Sequence, residues 1–153
     1  MNSLSLIYVM FVFSVKYRLG MIHPVWRERL YSVMGQTLKD MQGVYPLQIG
    51  GVADHVHVLL RTEGIVSESE IMRKLKSESS QWINRQGLVT GRFAWQRGGA
   101  RISYSPSSVD DVCRYIANQE SHHRRLSFRE EIENLYRSVH IQYTEYDLPS
   151  ELE

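Results

Sequence analysis

The stretch DHVHVLL, Asp54 to Leu60, sets two histidines on either side of one valine inside an apolar run. In a strand, residues i and i+2 face the same way, so His55 and His57 project together with Cβ atoms about 7 Å apart. Val56, Val58 and Leu60 then point to the opposite side. Two imidazoles at that separation can converge on one divalent cation. They can equally decorate an exposed strand, and a third ligand is needed to decide. RYIANQESHH, Arg114 to His123, supplies a candidate. In one continuous helix Tyr115, Gln119 and His122 fall at i, i+4 and i+7, within about 40° of one another. Val109, Val112 and Ile116 form a core stripe about 90–100° away. A tyrosine hydroxyl can act as a nucleophile, and the Gln119 carbonyl oxygen can bind a metal one turn on. The plainer alternative is a half-buried tyrosine on an amphipathic helix. His122 and His123 otherwise read as a solvated helix end.

The elements that must position these residues follow from pattern. Leu6 to Lys16, rich in Val, Phe and Tyr, predicts a strand. Pro24 opens a helix with Leu30, Val33, Met34, Leu38 and Met41 at helical spacing, and Gly43 ends it. Leu47 to Leu60 holds one or two strands, with Gly50 and Gly51 as a bend or bulge. Ser67 with Glu70 caps a second helix, which Gly87 closes. FAWQRGGARISYS predicts a hairpin around Gly98 and Gly99. Ser108 with Asp111 caps a third helix, about Val109 to Arg125, and Ser127 with Glu130 caps a short fourth. This order predicts an α+β fold: a ferredoxin-like sandwich, an antiparallel sheet with helices on one face and the other face free for a ligand.

Composition bounds the rest. At 153 residues, 42% hydrophobic and 23% charged, the chain suits one soluble domain. A single cysteine, Cys113, excludes an internal disulfide framework and a thiolate zinc site. The run SLSLIYVMFVFSV lacks a basic start and a cleavage site and is too short to span a bilayer, so a buried strand and a cytoplasmic protein are expected. Up to Arg125 there are 16 Lys and Arg against 10 Asp and Glu; after it there are 2 against 7. A basic body with an acidic tail permits a polyanion partner on the body.

Five blocks carry a resemblance. VFSVKYR (Val12–Arg18), GGVADHVHVLL (Gly50–Leu60), LKSESSQWIN (Leu75–Asn84), FAWQ (Phe93–Gln96) and RYIANQESHH stand in the order seen in the HUH single-tyrosine transposases. These mobilise single-strand insertion sequences, and the resemblance covers most of the chain. It implies a catalytic domain over residues 1–137 and an irregular acidic tail over 138–153. It implies that His55 and His57 bind a divalent metal, Mg²⁺ or Mn²⁺, with Gln119 as third ligand. Tyr115 would attack a DNA phosphate and form a 5′-phosphotyrosine link. It also implies a homodimer acting on single-stranded DNA with a hairpin, with no membrane and no small-molecule cofactor. In the family's active form the tyrosine helix of one subunit meets the histidine pair of the other. Lys16, Arg18 and Lys76 are candidates for phosphate contacts, and solvated surface charge is the alternative for each. Trp95 either stacks on an unpaired base or packs under the hairpin; Trp82 is expected in the core. GGARISYS (Gly98–Ser105) departs from the family's aromatic-rich strand. Two alternatives share these residues or dispense with them: a domesticated nickase of chromosomal hairpin repeats, and a hairpin-binding protein without catalysis. A small metal enzyme unrelated to DNA would leave the ordered blocks unexplained.

Overall fold

A computed structural model describes residues 1–149. Four strands, β1 (Ile7–Ser14), β2 (Val44–Gly51), β3 (His55–Thr62) and β4 (Ala100–Tyr104), form one antiparallel sheet in the order β2-β3-β1-β4. With α1 (Pro24–Lys39) between β1 and β2, and α2 (Glu68–Gln86) between β3 and β4, this is the expected ferredoxin-like α+β sandwich. No helix among the described residues is long and apolar enough to cross a membrane.

Strand alternation divides the molecule into two cores. Phe11, Phe13, Val56, Val58 and Leu60 face α1 and α2, where they meet Leu30, Met34, Leu38, Ile71, Leu75 and Ile83. Met10, Val12 and Leu59 face the other way, against Val112, Ile116, Phe128 and Ile132. That second face is therefore not open. It carries α3 (Val109–Ala117), α4 (Gln119–His123) and α5 (Phe128–Ser138). A central strand clad on both faces reads as a continuous apolar run, which is why β3 is buried along almost its whole length.

Several local expectations change. The glycine pair lies inside β2, with Gly50 opposite His57 and Gly51 opposite Val56, and the register shift falls between Pro46 and Gln48. The first helix ends at Lys39, before Gly43. No hairpin forms around Gly98 and Gly99: β4 pairs with β1, and Trp95 makes only an isolated bridge to Val15. Trp95 is buried, donates to Ser79 Oγ at 2.9 Å and packs edge-on against Phe13 and Phe93, so it is core. Trp82 lies partly buried beside Trp26. Ser67 and Ser127 cap their helices as expected, but the Ser108 side chain caps nothing. The long third helix is two helices, interrupted at Asn118, whose φ and ψ of −99° and 19° are not helical.

Gly50 lets α3 lie down on the sheet. A Cβ there would stand 2.6 Å from the Ile116 carbonyl oxygen and 3.0 Å from Ile116 Cγ2. Gly50→Ala should lift α3 and cost about 2 kcal/mol, lowering Tm by roughly 6 °C. Gly35→Ala, inside α1 with no heavy atom within 4 Å of the added Cβ, should instead gain up to about 1 kcal/mol. Thermal unfolding of both variants checks this; equal effects would contradict it.

Candidate metal and nucleophile centre

His55 opens β3 and His57 follows at i+2, both fully buried beneath α3 to α5. Their rings meet edge to face at 5.3 Å. His55 stacks flat on Phe128, the first residue of α5, with centroids 4.0 Å apart. On its other edge, Nδ1 lies 2.7 Å from Asp54 Oδ1. With a cation on Nε2, His55 would donate from Nδ1 to this carboxylate, the usual way a carboxylate orients a ligating imidazole.

The inward nitrogens converge on one residue that sequence reasoning passed over. Glu131 Oε1 lies 3.2 Å from His55 Nε2, 3.0 Å from His57 Nε2 and 3.1 Å from His123 Nε2. Its second oxygen, Oε2, accepts from the Tyr115 hydroxyl and, at 3.3 Å, from Gln119 Nε2. Gln119 Oε1 in turn lies 3.3 Å from His55 Nε2 and 3.1 Å from His123 Nε2. The ligand atoms of His55, His57, His123 and Glu131 all fall within 4.8 Å of one another. Such a set of imidazoles and a carboxylate can hold a divalent ion. The expected residues His55, His57, Tyr115 and Gln119 are thus in one place, and His123 and Glu131 join them.

The interruption at Asn118 explains the histidine that was misjudged. One continuous helix would put His122 on the stripe of Tyr115. Here His122 only lies edge-on to the Tyr115 ring, at 4.7 Å, and His123 points into the cluster. Glu131 sits in the acidic first turn of α5, where a carboxylate ordinarily complements the helix dipole from the surface. Its burial, 3% exposed, is what sets it apart, and only the fold reveals that.

The electrostatics follow from burial and from one shared negative charge. Burial alone would raise the Glu131 carboxyl, but hydrogen bonds from His123, His55 and His57 hold it far below the ordinary carboxylate range. Burial would lower His55, yet Asp54 and Glu131 together raise it. Burial dominates at His57, which is lowered and stays neutral, and its Nδ1 is buried without a hydrogen-bond partner. Tyr115 is pushed well above the usual phenol range by burial and then by the Glu131 charge. The Tyr115–Glu131 bond therefore orients a phenol and does not ionise it.

The basic candidates differ among themselves. The Lys76 ammonium, half-buried and lowered by that burial, donates to the carbonyls of Gln96 at 2.8 Å and Gly98 at 2.5 Å. It pins the loop before β4. Lys16 is exposed, 5.3 Å above the Tyr17 ring. Arg18 lies 4.0 Å from Asp54 and over the Phe128 ring. Tyr17 and Arg18 both have positive φ, 60° and 52°, an uncommon conformation for such residues, at the rim of a cavity of about 460 Å³ that Phe128 also lines.

Residues 3–119 match the pattern of the IS200-like transposases. The chain belongs to that family. The match spans His55, His57, Tyr115 and Gln119 and ends before His123 and Glu131. Among solved structures, a protein described as a candidate transposase from Deinococcus radiodurans R1 shares the fold at TM-score 0.61 and 17% identity, over 78% of this chain and 95% of that one. A REP-associated tyrosine transposase bound to a REP hairpin superposes at TM-score 0.59 and 14% identity, over 80% and 72%. No curated protein matches the chain.

Removing the shared charge should be costly. Glu131→Gln should destabilise the metal-free protein by about 3 kcal/mol, because the buried imidazoles lose the negative charge they share. Chemical denaturation in the presence of a chelator measures this, and a loss below about 0.5 kcal/mol would refute the central role given to the carboxylate.

Proposed function

We propose that this IS200-like transposase cuts and rejoins single-stranded DNA through a covalent link to Tyr115. The observation that carries the proposal is the convergence of Tyr115 and both strand histidines on one carboxylate. Within one chain, not across two subunits as the family resemblance implies for the active form, the nucleophile and the cation-binding nitrogens share a site, as an in-line attack on a phosphate requires. The phenolic oxygen attacks phosphorus, and the P–O3′ bond breaks. A 5′-phosphotyrosine and a free 3′-hydroxyl result. The phenolic proton leaves the tyrosine and one is taken up by the departing 3′-oxygen. Attack by a DNA 3′-hydroxyl reverses the step and frees Tyr115, so rejoining needs no external energy source.

His55, His57 and Gln119 would hold a divalent ion, which when bound neutralises charge on the phosphate. Asp54 fixes the His55 ring, and Gln119 and Glu131 hold the phenol. Lys16 and Arg18, beside the aromatic rim, suit contacts to the DNA backbone. Lys76 acts there by shaping the Gln96–Gly98 loop. Every residue of the centre precedes residue 138, which supports a catalytic unit over 1–137 with 138–153 as an accessory tail; residues 150–153 lie outside the described structure.

The substrate in this proposal is a single strand bearing a hairpin, handled by a homodimer. The likeness to a transposase bound to a REP hairpin favours a second reading, in which the same chemistry nicks repeated chromosomal hairpins. Both readings make one test decisive for the chemistry. With labelled hairpin oligonucleotides and Mg²⁺ or Mn²⁺, wild type should give a protein–DNA adduct on a denaturing gel. Tyr115→Phe should lose the adduct while retaining hairpin binding on a native gel, and His57→Ala should lose divalent-dependent cleavage. An adduct that persists in Tyr115→Phe would place the nucleophile elsewhere.

A further inference from the structure

We propose that His123 is a third imidazole ligand and Glu131 a carboxylate ligand of the same ion, so that the centre selects a transition-metal ion over Mg²⁺. This rests on the reading of His55 and His57 as a metal pair and deepens it.

A neutral imidazole bears a hydrogen on one nitrogen and a lone pair on the other. Three Nε2 atoms lie 3.0–3.2 Å from one carboxylate oxygen. For that arrangement to persist without a cation, each Nε2 must carry a hydrogen. At His55, whose Nδ1 has its own carboxylate acceptor at 2.7 Å in Asp54, both nitrogens then carry hydrogens. A divalent cation can stand among the same atoms in place of the Nε2 hydrogens. It takes the three lone pairs and the carboxylate oxygen together, and the Nδ1 hydrogen stays on Asp54.

The burial and position of His123 support a ligand role. Its side chain is only 12% exposed, and its Nε2 reaches both Glu131 Oε1 and Gln119 Oε1 at 3.1 Å. It sits one turn beyond Gln119 in α4, and Tyr115 stands before the break at Asn118 in α3, so the two short helices together present nucleophile, amide and imidazole.

Ligand type then sets the metal. Mg²⁺ prefers oxygen donors in a nearly ideal octahedron and keeps several waters. Three imidazoles with one carboxylate suit Mn²⁺, and more strongly Co²⁺, Ni²⁺ and Zn²⁺, in the usual order of affinity. A site built only from His55, His57 and Gln119 would lack this bias.

The test uses the full chain without DNA. Co²⁺ titration followed by visible absorption should show a ligand-field band that Zn²⁺ displaces and that a hundredfold excess of Mg²⁺ does not. Pulsed electron paramagnetic resonance of the Mn²⁺ form should count three coupled imidazoles in wild type and two in His123→Gln. Co²⁺ affinity should fall at least about tenfold in His123→Gln and in Glu131→Gln. Two imidazoles in wild type would overturn the proposal, as would displacement by Mg²⁺ at equal concentration. The wild-type readouts hold even if a variant fails to fold. Because no readout involves DNA or Tyr115, failure here leaves the strand-transfer chemistry untouched, and failure of the adduct assay leaves this result standing.

Discussion

A buried carboxylate surrounded by three imidazole edges and a phenol is the interaction on which the rest of the site depends. Glu131 would be prohibitively costly in that position as an isolated charge. It is stable because each of its oxygens is matched: Oε1 by the three Nε2 atoms, Oε2 by Tyr115 and Gln119. The same match ties three elements that are distant in sequence. β3 brings His55 and His57, α3 and α4 bring Tyr115, Gln119 and His123, and α5 brings the carboxylate. Without it, α5 would rest on the sheet only through Phe128, Ile132 and the smaller second core.

The fold supplies the precision that this arrangement needs. His57 lies on the central strand, opposite Val12 on β1 and Gly50 on β2, so its backbone is held from both sides. Gly50 removes the side chain that would keep α3 away, and α3 descends until Ile116 touches the strand. Tyr115 is thereby brought to the His57 ring, 5.6 Å between centroids, by backbone approach and not by a long flexible side chain. The first core, beneath the opposite sheet face, is larger and contributes rigidity rather than chemistry.

Much of this was legible in the sequence, for identifiable reasons. The period of two in HVHV separates imidazoles from valines, and the structure places Val56 and Val58 on the opposite face from the histidines as expected. The i, i+4 spacing of Tyr115 and Gln119 survives the helix break, because Gln119 lies only one residue past Asn118. His123 was hidden by the assumption of one continuous helix, and Asn118, a residue tolerant of non-helical angles, was the available signal. Glu131 was hidden because Ser127, Glu130 and Glu131 look like an ordinary capped helix start. Nothing local distinguishes the buried acid from its exposed neighbour. The helices on the second sheet face were recognised one by one, but their docking there was not, since a β3 buried on both faces differs from a half-buried one only in the polarity of two histidines. The hairpin failed for a topological reason: Ala100–Tyr104 has a better partner in β1 than in the irregular Phe93–Arg97 segment.

The account stands on Tyr115 acting as the nucleophile within a cation-dependent centre. Peptide mapping addresses that most directly. Wild-type protein would be incubated with a hairpin oligonucleotide and a divalent ion, digested, and searched by mass spectrometry for nucleotide-bearing peptides. The account predicts one modified peptide, with the nucleotide on the Tyr115 oxygen, present with the ion and absent with a chelator. Modification of a different residue, or an adduct on Tyr115 that forms equally well in the chelator, would contradict it.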